Sequence, residues 1–226
     1  MEYDWNFRFL SEYWPAIFHG LLLTVVLTIC VIVLGSVLGV IWGVMLCSKQ
    51  KLVRMPMQTL TDVIRGLPAI VLLMLTYYLI PYAIPGISIP PFAIAVLALA
   101  TNLGAYMSDV LRGAIINVPV NFIDAGKALG LTHFQIQKYI VFPEVLRAVL
   151  PTISLLYISM FKLTSLASIL SVGELTHTAG LVTSMSMRSL EMYVVIAIAY
   201  LSLTLPFSYL CRQLGNRETG NYDSER

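Results

Sequence analysis

Charge is what this sequence has least of. Of its 226 residues only 12% are Asp, Glu, Lys or Arg, about half the share expected of a soluble domain. With 58% hydrophobic residues and a mean hydropathy of +0.82, the composition predicts one integral membrane domain. The net charge of +2 is too small to suggest nucleic acid. Cysteine is scarce as well: Cys30, Cys47 and Cys211 lie in or beside apolar runs without pair spacing. That excludes a disulfide framework and a zinc motif, and leaves them as small hydrophobes. His19, His133 and His177 are spread over most of the chain, with no HExxH and no ligand spacing, so a metal centre or a membrane-embedded metalloenzyme finds no residues. There is no G-x-x-x-x-G-K-S/T loop, so the chain has no phosphate cradle of its own. The N-terminus, MEYDWNFRFLSEYW, lacks the basic start of a signal peptide and is read as mature protein.

What is present is apolar sequence in lengths that suit a bilayer. About 20 apolar residues cross the hydrocarbon, and five such segments can be counted. They run from about Phe18 to Leu46, Pro56 to Ile80, Phe92 to Leu111, Leu150 to Leu170, and Met192 to Leu210. Residues 1–17, with Trp5, Phe7, Phe9, Tyr13 and Trp14, suit an interfacial segment. Residues 18–211 form the expected transmembrane domain, and 212–226 a polar, poorly ordered tail. Basic residues set the orientation. Lys49, Lys51 and Arg54 follow the first span; Arg112, Lys127, Lys138 and Arg147 flank the third and fourth; Arg212, Arg217 and Arg226 follow the fifth. The other loops carry only Arg188. The N-terminus is therefore expected outside and the C-terminus in the cytoplasm.

Polar and small residues inside these spans are the candidates for packing or function. Gly35, Gly39 and Gly43 form a stripe that would let another helix approach closely. Asp62 and Arg65 have ion-pair spacing, and Gly66 with Pro68 predicts a kink. Asn102, Tyr106 and Asp109 fall on one side of the third span, which should turn away from lipid. Arg112 follows Asp109 by three residues, so an ion pair within the helix competes with a site role. Lys162 lies near the middle of the fourth span, where an ammonium is expensive unless it faces a cavity or a partner. Ser159, Thr164 and Ser165 supply hydroxyls around it, some of which can bond back to the helix. Glu174 and His177 lack a third ligand for a metal.

The longest polar-containing segment is Asp124–Pro143, DAGKALGLTHFQIQKYIVFP. Pro119 suits the start of a helix, and Gly130 suits its left-handed end. Thr132 and Gln135 have capping-box spacing for a second short helix, which is expected to stop at Pro143. Residues 119–143 thus read as a cytoplasmic helix–Gly–helix docking platform. The segment resembles the EAA loop of bacterial ABC importer permeases, in which Glu-Ala-Ala precedes a glycine, then an isoleucine shortly before a proline. Asp124, Ala125, Gly126, Gly130, Ile140 and Pro143 match it, with Asp124 standing for Glu and Gly126 for the second Ala.

Three further stretches are similar to the polar amino acid branch of that family. Arg65-Gly66-Leu67-Pro68 resembles an RGTP-like motif, with Leu67 replacing Thr. Gly104–Ile115, GAYMSDVLRGAI, matches a stretch in which Glu is usual at the Asp109 position. Lys162, Leu163, Thr164, Ser165 and Leu166 match Lys-Asp-Thr-Ser-Leu, with the acid replaced by Leu163.

The resemblance implies an all-α membrane protein with the type I importer permease fold. It implies a substrate site drawn from Asn102, Tyr106, Asp109, Ser159, Lys162, Leu163 and Ser165. Asp62, Arg65, Gly66, Pro68 and Arg112 would serve the pathway or its support. Asp124, Ala125, Gly126, Leu129, Gly130, Ile140 and Pro143 would couple to an ATPase, and Glu174, His177 and Arg188 would lie near the surface facing a binding protein. The implied partners are a second permease subunit, two cytoplasmic ATPases that bind ATP and Mg, a substrate-binding protein and a small zwitterion. The chain itself would hold no cofactor and would lie in a bacterial inner membrane. On the residues alone, an ion-coupled transporter or channel using Lys162 and Asp109 stays open.

Overall fold

In the computed structural model the described residues are 4–84, 86 and 88–223. Their regular structure is entirely helical. Four helical runs are long and apolar enough to cross a membrane: Leu10–Leu46, Pro91–Ile116, His133–Leu170 and Ser189–Cys211. A fifth candidate is a bent pair of helices. Helix α2 (Lys51–Gly66) and helix α3 (Ala69–Ala83) meet at an angle of 113°. The kink predicted at Gly66–Pro68 is thus a sharp break, where Leu67 and Pro68 take extended ψ angles that no helix continues.

Helix α1 (Leu10–Leu46) starts inside the segment expected to lie at the interface. The reason is packing: Ile17 is buried against Leu175, Ala179 and Val182 of α8 (Leu175–Ser186) and Met192 and Ile196 of α9 (Ser189–Asp223). Trp5 and Trp14 stay exposed, as interfacial aromatics should. Residues 1–3 and 224–226, with parts of the proline-rich loop at 85 and 87, lie outside the described residues.

The glycine stripe of α1 packs on α4 (Pro91–Ile116). A Cβ added at Gly35 would lie 2.7 Å from Leu103, at Gly39 2.8 Å from Met107, and at Gly43 3.1 Å from Leu111. Both numbers rise together, so α1 and α4 run in the same direction. Helix α7 (Phe142–Leu163) returns antiparallel to them, and the hydroxyls of Ser36 and Tyr157 meet at 2.7 Å. After Leu163 the helix tightens to a 3-10 turn over Thr164–Leu170 and ends at Ser171 with a left-handed φ of 57°. Ala167, Leu170 and Val172 then join Leu27, Val31, Leu73, Ile94, Leu99 and Leu103 in the main core.

The tail departs from expectation. Helix α9 continues through it to Asp223, because no proline follows Cys211 and the two glycines there only weaken a helix. The side chain of Arg212 and those from residue 214 onward lie outside the described residues.

The α1–α4 contact gives a direct test. Gly39→Leu should drive the helices apart and abolish the monodisperse detergent peak, whereas Gly113→Leu, with open space around its Cβ position, should leave it intact. Equal behaviour of the two would show that the stripe does not set the packing.

Candidate functional site

The docking platform is built from local signals. Pro119, in an extended conformation, precedes α5 (Val120–Ala128). Gly130 follows with a φ of +76°, the left-handed conformation that its position requires. Thr132 then caps α6 (His133–Ile136): its Oγ1 accepts from the Gln135 N–H, and the Gln135 Oε1 accepts from the Thr132 N–H at 2.8 Å.

The second helix does not stop at Pro143. A π-helical turn over Gln137–Val141 runs directly into α7, with the proline in the first turn of α7. In a π turn the Phe142 N–H reaches back to the Gln137 carbonyl, and the wider spacing accommodates a residue that has no N–H to give. Gly126 is buried where α5 crosses this turn, and a Cβ there would lie 2.7 Å from the Ile140 Cδ1. Because that atom ends a flexible side chain, an alanine would be tolerated after a small shift. Asp124 pairs with Lys127 at 2.9 Å, exposed. Leu129, Phe134, Tyr139 and Phe142 are strongly exposed on the same segment. An apolar patch of this kind at a loop marks a protein contact.

Within the membrane, Arg65 is the centre of a polar cluster. Its Nη1 donates to Asp109 at 2.6 Å and its Nη2 to Asp62 at 2.5 Å. The Tyr106 hydroxyl donates to the Arg65 carbonyl at 3.3 Å. Asp109 is therefore paired across helices, and not with Arg112, whose Nε is buried without a hydrogen-bond partner. Asn102 is only 4% exposed and is not part of this cluster, so the expected three-residue face divides. Asp109 also lines a cavity of about 380 Å³ between α4 and α7, with Asn117, Glu144 and Thr152.

Lys162 comes one residue before α7 ends, and its side chain is exposed on the protomer surface. Its height follows from the Ser36–Tyr157 contact. Ser36 is ten residues from Leu46 and Lys162 is five beyond Tyr157, which places Lys162 about 22 Å from the C-terminal end of α1. That is less than the thickness of a hydrocarbon core, about 30 Å. No acidic side chain pairs with it among the described residues. The neighbouring hydroxyls bond back to their own helix: Ser159 to Leu155 at 2.9 Å, Thr164 to Phe161 at 3.0 Å, and Ser165 to Lys162 at 2.6 Å. Leu163 is partly buried and packs against the main core.

Glu174 and Arg188 are both held by hydrogen bonds. The Glu174 side chain is buried as the N-cap of α8, accepting from the N–H groups of Thr176 and His177 and from the Tyr200 hydroxyl at 2.9 Å. Burial pushes its carboxyl above the ordinary range, against these hydrogen bonds, which favour the anion. Arg188 donates to the Asp4 carbonyl and to Glu191, and the Asn6 N–H donates to Glu191 as well. Together these bonds hold the N-terminal strand of the chain against the α8–α9 corner. No group of three or more metal-ligating side chains occurs among the described residues.

Residues 35–219 match the family described as the binding-protein-dependent transport system inner membrane component. The chain belongs to that family. It is 32% identical over 220 residues to the glutamine transport system permease protein of Escherichia coli K12, covering 96% of this chain and 98% of the relative. It is also 32% identical to the arginine ABC transporter permease of Haemophilus influenzae, over 92% of this chain and 96% of that protein. A crystal structure described as an amino acid ABC transporter with histidines superposes with a TM-score of 0.87 at 30% identity, covering 95% of this chain and all of the other. The chain is thus a multi-pass ABC permease subunit. It is not itself the ATPase.

Two outcomes follow from this geometry. Glu174→Ala should lower the thermal midpoint of the detergent-solubilised protein, since an N-cap is worth about 1 kcal/mol, while leaving ATPase binding unchanged. Gly130→Arg should keep the spans folded but weaken ATPase binding, because φ +76° strains an L-residue and the side chain would occupy the docking face. Unaltered ATPase recovery with Gly130→Arg would remove this turn from the contact.

Proposed function

We propose that this chain is the permease subunit of an importer for a polar amino acid or related zwitterion, an opine-like compound included. The observation that carries the reading is Lys162: a cation held inside the hydrocarbon on an open face, with no acid beside it. Such a group suits a substrate carboxylate. The position occupied by Asp in the Lys-Asp-Thr-Ser-Leu pattern is here a core leucine, Leu163, which argues against a basic amino acid as substrate. The names of the glutamine and arginine relatives support an amino acid in general.

Two permease subunits, of this chain or of this chain with a paralogue, would face one another across the Lys162 surfaces. A binding protein delivers substrate at the outer side, and two ATPases, which bind ATP and Mg, engage α5 and α6 on the cytoplasmic side. The basic residues support an external N-terminus and a cytoplasmic C-terminus. The permease itself holds no cofactor. Transport then proceeds by alternating access, with the pair rocking around the site between its subunits.

The test is purification of a tagged copy in mild detergent with mass spectrometry of what accompanies it, followed by reconstitution with the binding protein. A soluble ATPase should co-purify. Lys162→Met should preserve that assembly and abolish substrate-stimulated ATP turnover. Normal stimulation in this variant would take Lys162 out of the site, and uptake without any ATPase would favour an ion-coupled transporter.

A further inference from the structure

Among the described residues, Arg65 sits at the one place where a candidate membrane crossing is discontinuous. Ile64 and Leu72 on either side of the break pack against Ala105 of α4, while a Cβ at Gly66 itself would meet nothing within 4 Å. Polar contacts to α4 add to that packing. The guanidinium spans from Asp62 on its own helix to Asp109 on α4, and the Arg65 carbonyl at the end of α2 accepts from Tyr106, also on α4. All the hydrogen bonds that cross from the break therefore land on one turn of one helix.

That helix has a second connection. Seven residues beyond Asp109, α4 ends at Ile116, and Asn117 to Pro119 lead straight into α5 of the docking platform. On the other side of α5, Gly126 sits against Ile140 of the π turn. A displacement of α5 thus reaches Asp109 through about two turns of intact helix, and the Asp109–Arg65 pair is the ionic contact through which it reaches the end of α2.

The nature of the pair also matters. Asp109 is 46% exposed on the protomer and borders the α4–α7 cavity. The pair is thus not enclosed by packing, and its acid has room to move away from Arg65. The α1–α4 seam, by contrast, is locked by backbone-close packing at three glycines. One face of α4 is fixed and the other is held by a bond that can open.

We propose that the Arg65–Asp109 pair is a releasable tie in the transport cycle, through which α4 transmits movement of the docking platform to the broken α2–α3 crossing. Arg65 and Asp109 are positioning residues and need not touch substrate. With the pair closed, α2 keeps one angle to α4; with it open, α2 pivots at Gly66–Pro68 while α3 stays in the main core through Leu73. This is a two-state element that the ATPase side and the membrane side can both bias. The proposal rests on the importer reading above.

The test uses the reconstituted complex with its ATPase and binding protein. Asp109→Asn and Arg65→Gln should each co-purify normally with the ATPase. Each should raise ATP hydrolysis in the absence of binding protein and lower substrate moved per ATP by about tenfold, the scale of a typical coupling between sites. The charge-exchanged pair, Arg65→Asp with Asp109→Arg, should recover much of that ratio. A wild-type ratio in the single variants, or an exchanged pair no better than they are, would overturn the tie. A second measurement guards against simple misfolding. In protein lacking Cys30, Cys47 and Cys211, Arg65→Cys and Asp109→Cys are joined by a reducible thiol cross-linker. Uptake should stop while the linker is intact and return on reduction to the lowered level of the single variants. Full uptake with the linker intact would show that the contact never opens. If the wild-type complex shows no ATP-driven uptake at all, the importer reading falls first and the tie with it.

Discussion

Close approach of α1 to α4 is the constraint on which the rest of this structure depends. In lipid there is no hydrophobic force between helices, because the tails are as apolar as the side chains. What remains is dispersion, and dispersion needs contact. Gly35, Gly39 and Gly43 bring the α1 backbone within reach of Leu103, Met107 and Leu111, and Gly104 of α4 returns the arrangement toward Leu38. This seam fixes not only the spacing but the register. Once residue 39 is level with 107, the heights of Asp109, of the α2–α3 break and of the Ser36–Tyr157 contact follow from it.

The docking platform and the pathway are parts of one continuous object. The π turn at Gln137–Val141 lets the helix pass Pro143, so the chain from His133 to Leu170 is a single run with Lys162 near its outer end. Force applied at α6 therefore has no hinge to dissipate in before it reaches the lysine. The α5 limb is pressed against the same run through Gly126 and Ile140, while its other end is continuous with α4. The loop thus joins the two helices that carry the polar groups of the membrane domain.

Features set by spacing within one helix were legible in the sequence. The glycine stripe, the Asp62–Arg65 pair and the capping box at Thr132 each involve residues three or four positions apart, the left-handed Gly130 is a property of one residue, and each occurs where the sequence placed it. What was not legible depends on a second helix. Asp109 has an arginine three residues away, yet binds the one on α2. Leu163 sits beside Lys162 in sequence but packs against the core. Pro143 reads as a stop because a proline cannot give an α-helical N–H, and only the π geometry removes that need. Glu174 is buried, and its carboxyl is satisfied by two backbone N–H groups and Tyr200. The one available signal was its place just before the apolar run of α8.

The state of Lys162 bears on how many subunits a working pathway needs. A lone protomer would present this ammonium to lipid, at a cost of about 3 kcal/mol. Its own chain does nothing to offset that, since Ser159, Thr164 and Ser165 are committed to backbone carbonyls and Leu163 packs against the core. The face must therefore be covered by protein or open onto water. In the proposed pair, two copies of this chain would bring two lysines toward the same axis. Like charges in a low-dielectric site repel strongly unless anions lie between them. A symmetric pair thus suits either two carboxylates, one per lysine, or a wide and hydrated gap. A paralogue without the lysine would leave a single cation for a single carboxylate. The same residue that supports a zwitterionic substrate therefore links the stoichiometry of the site to the identity of the partner subunit.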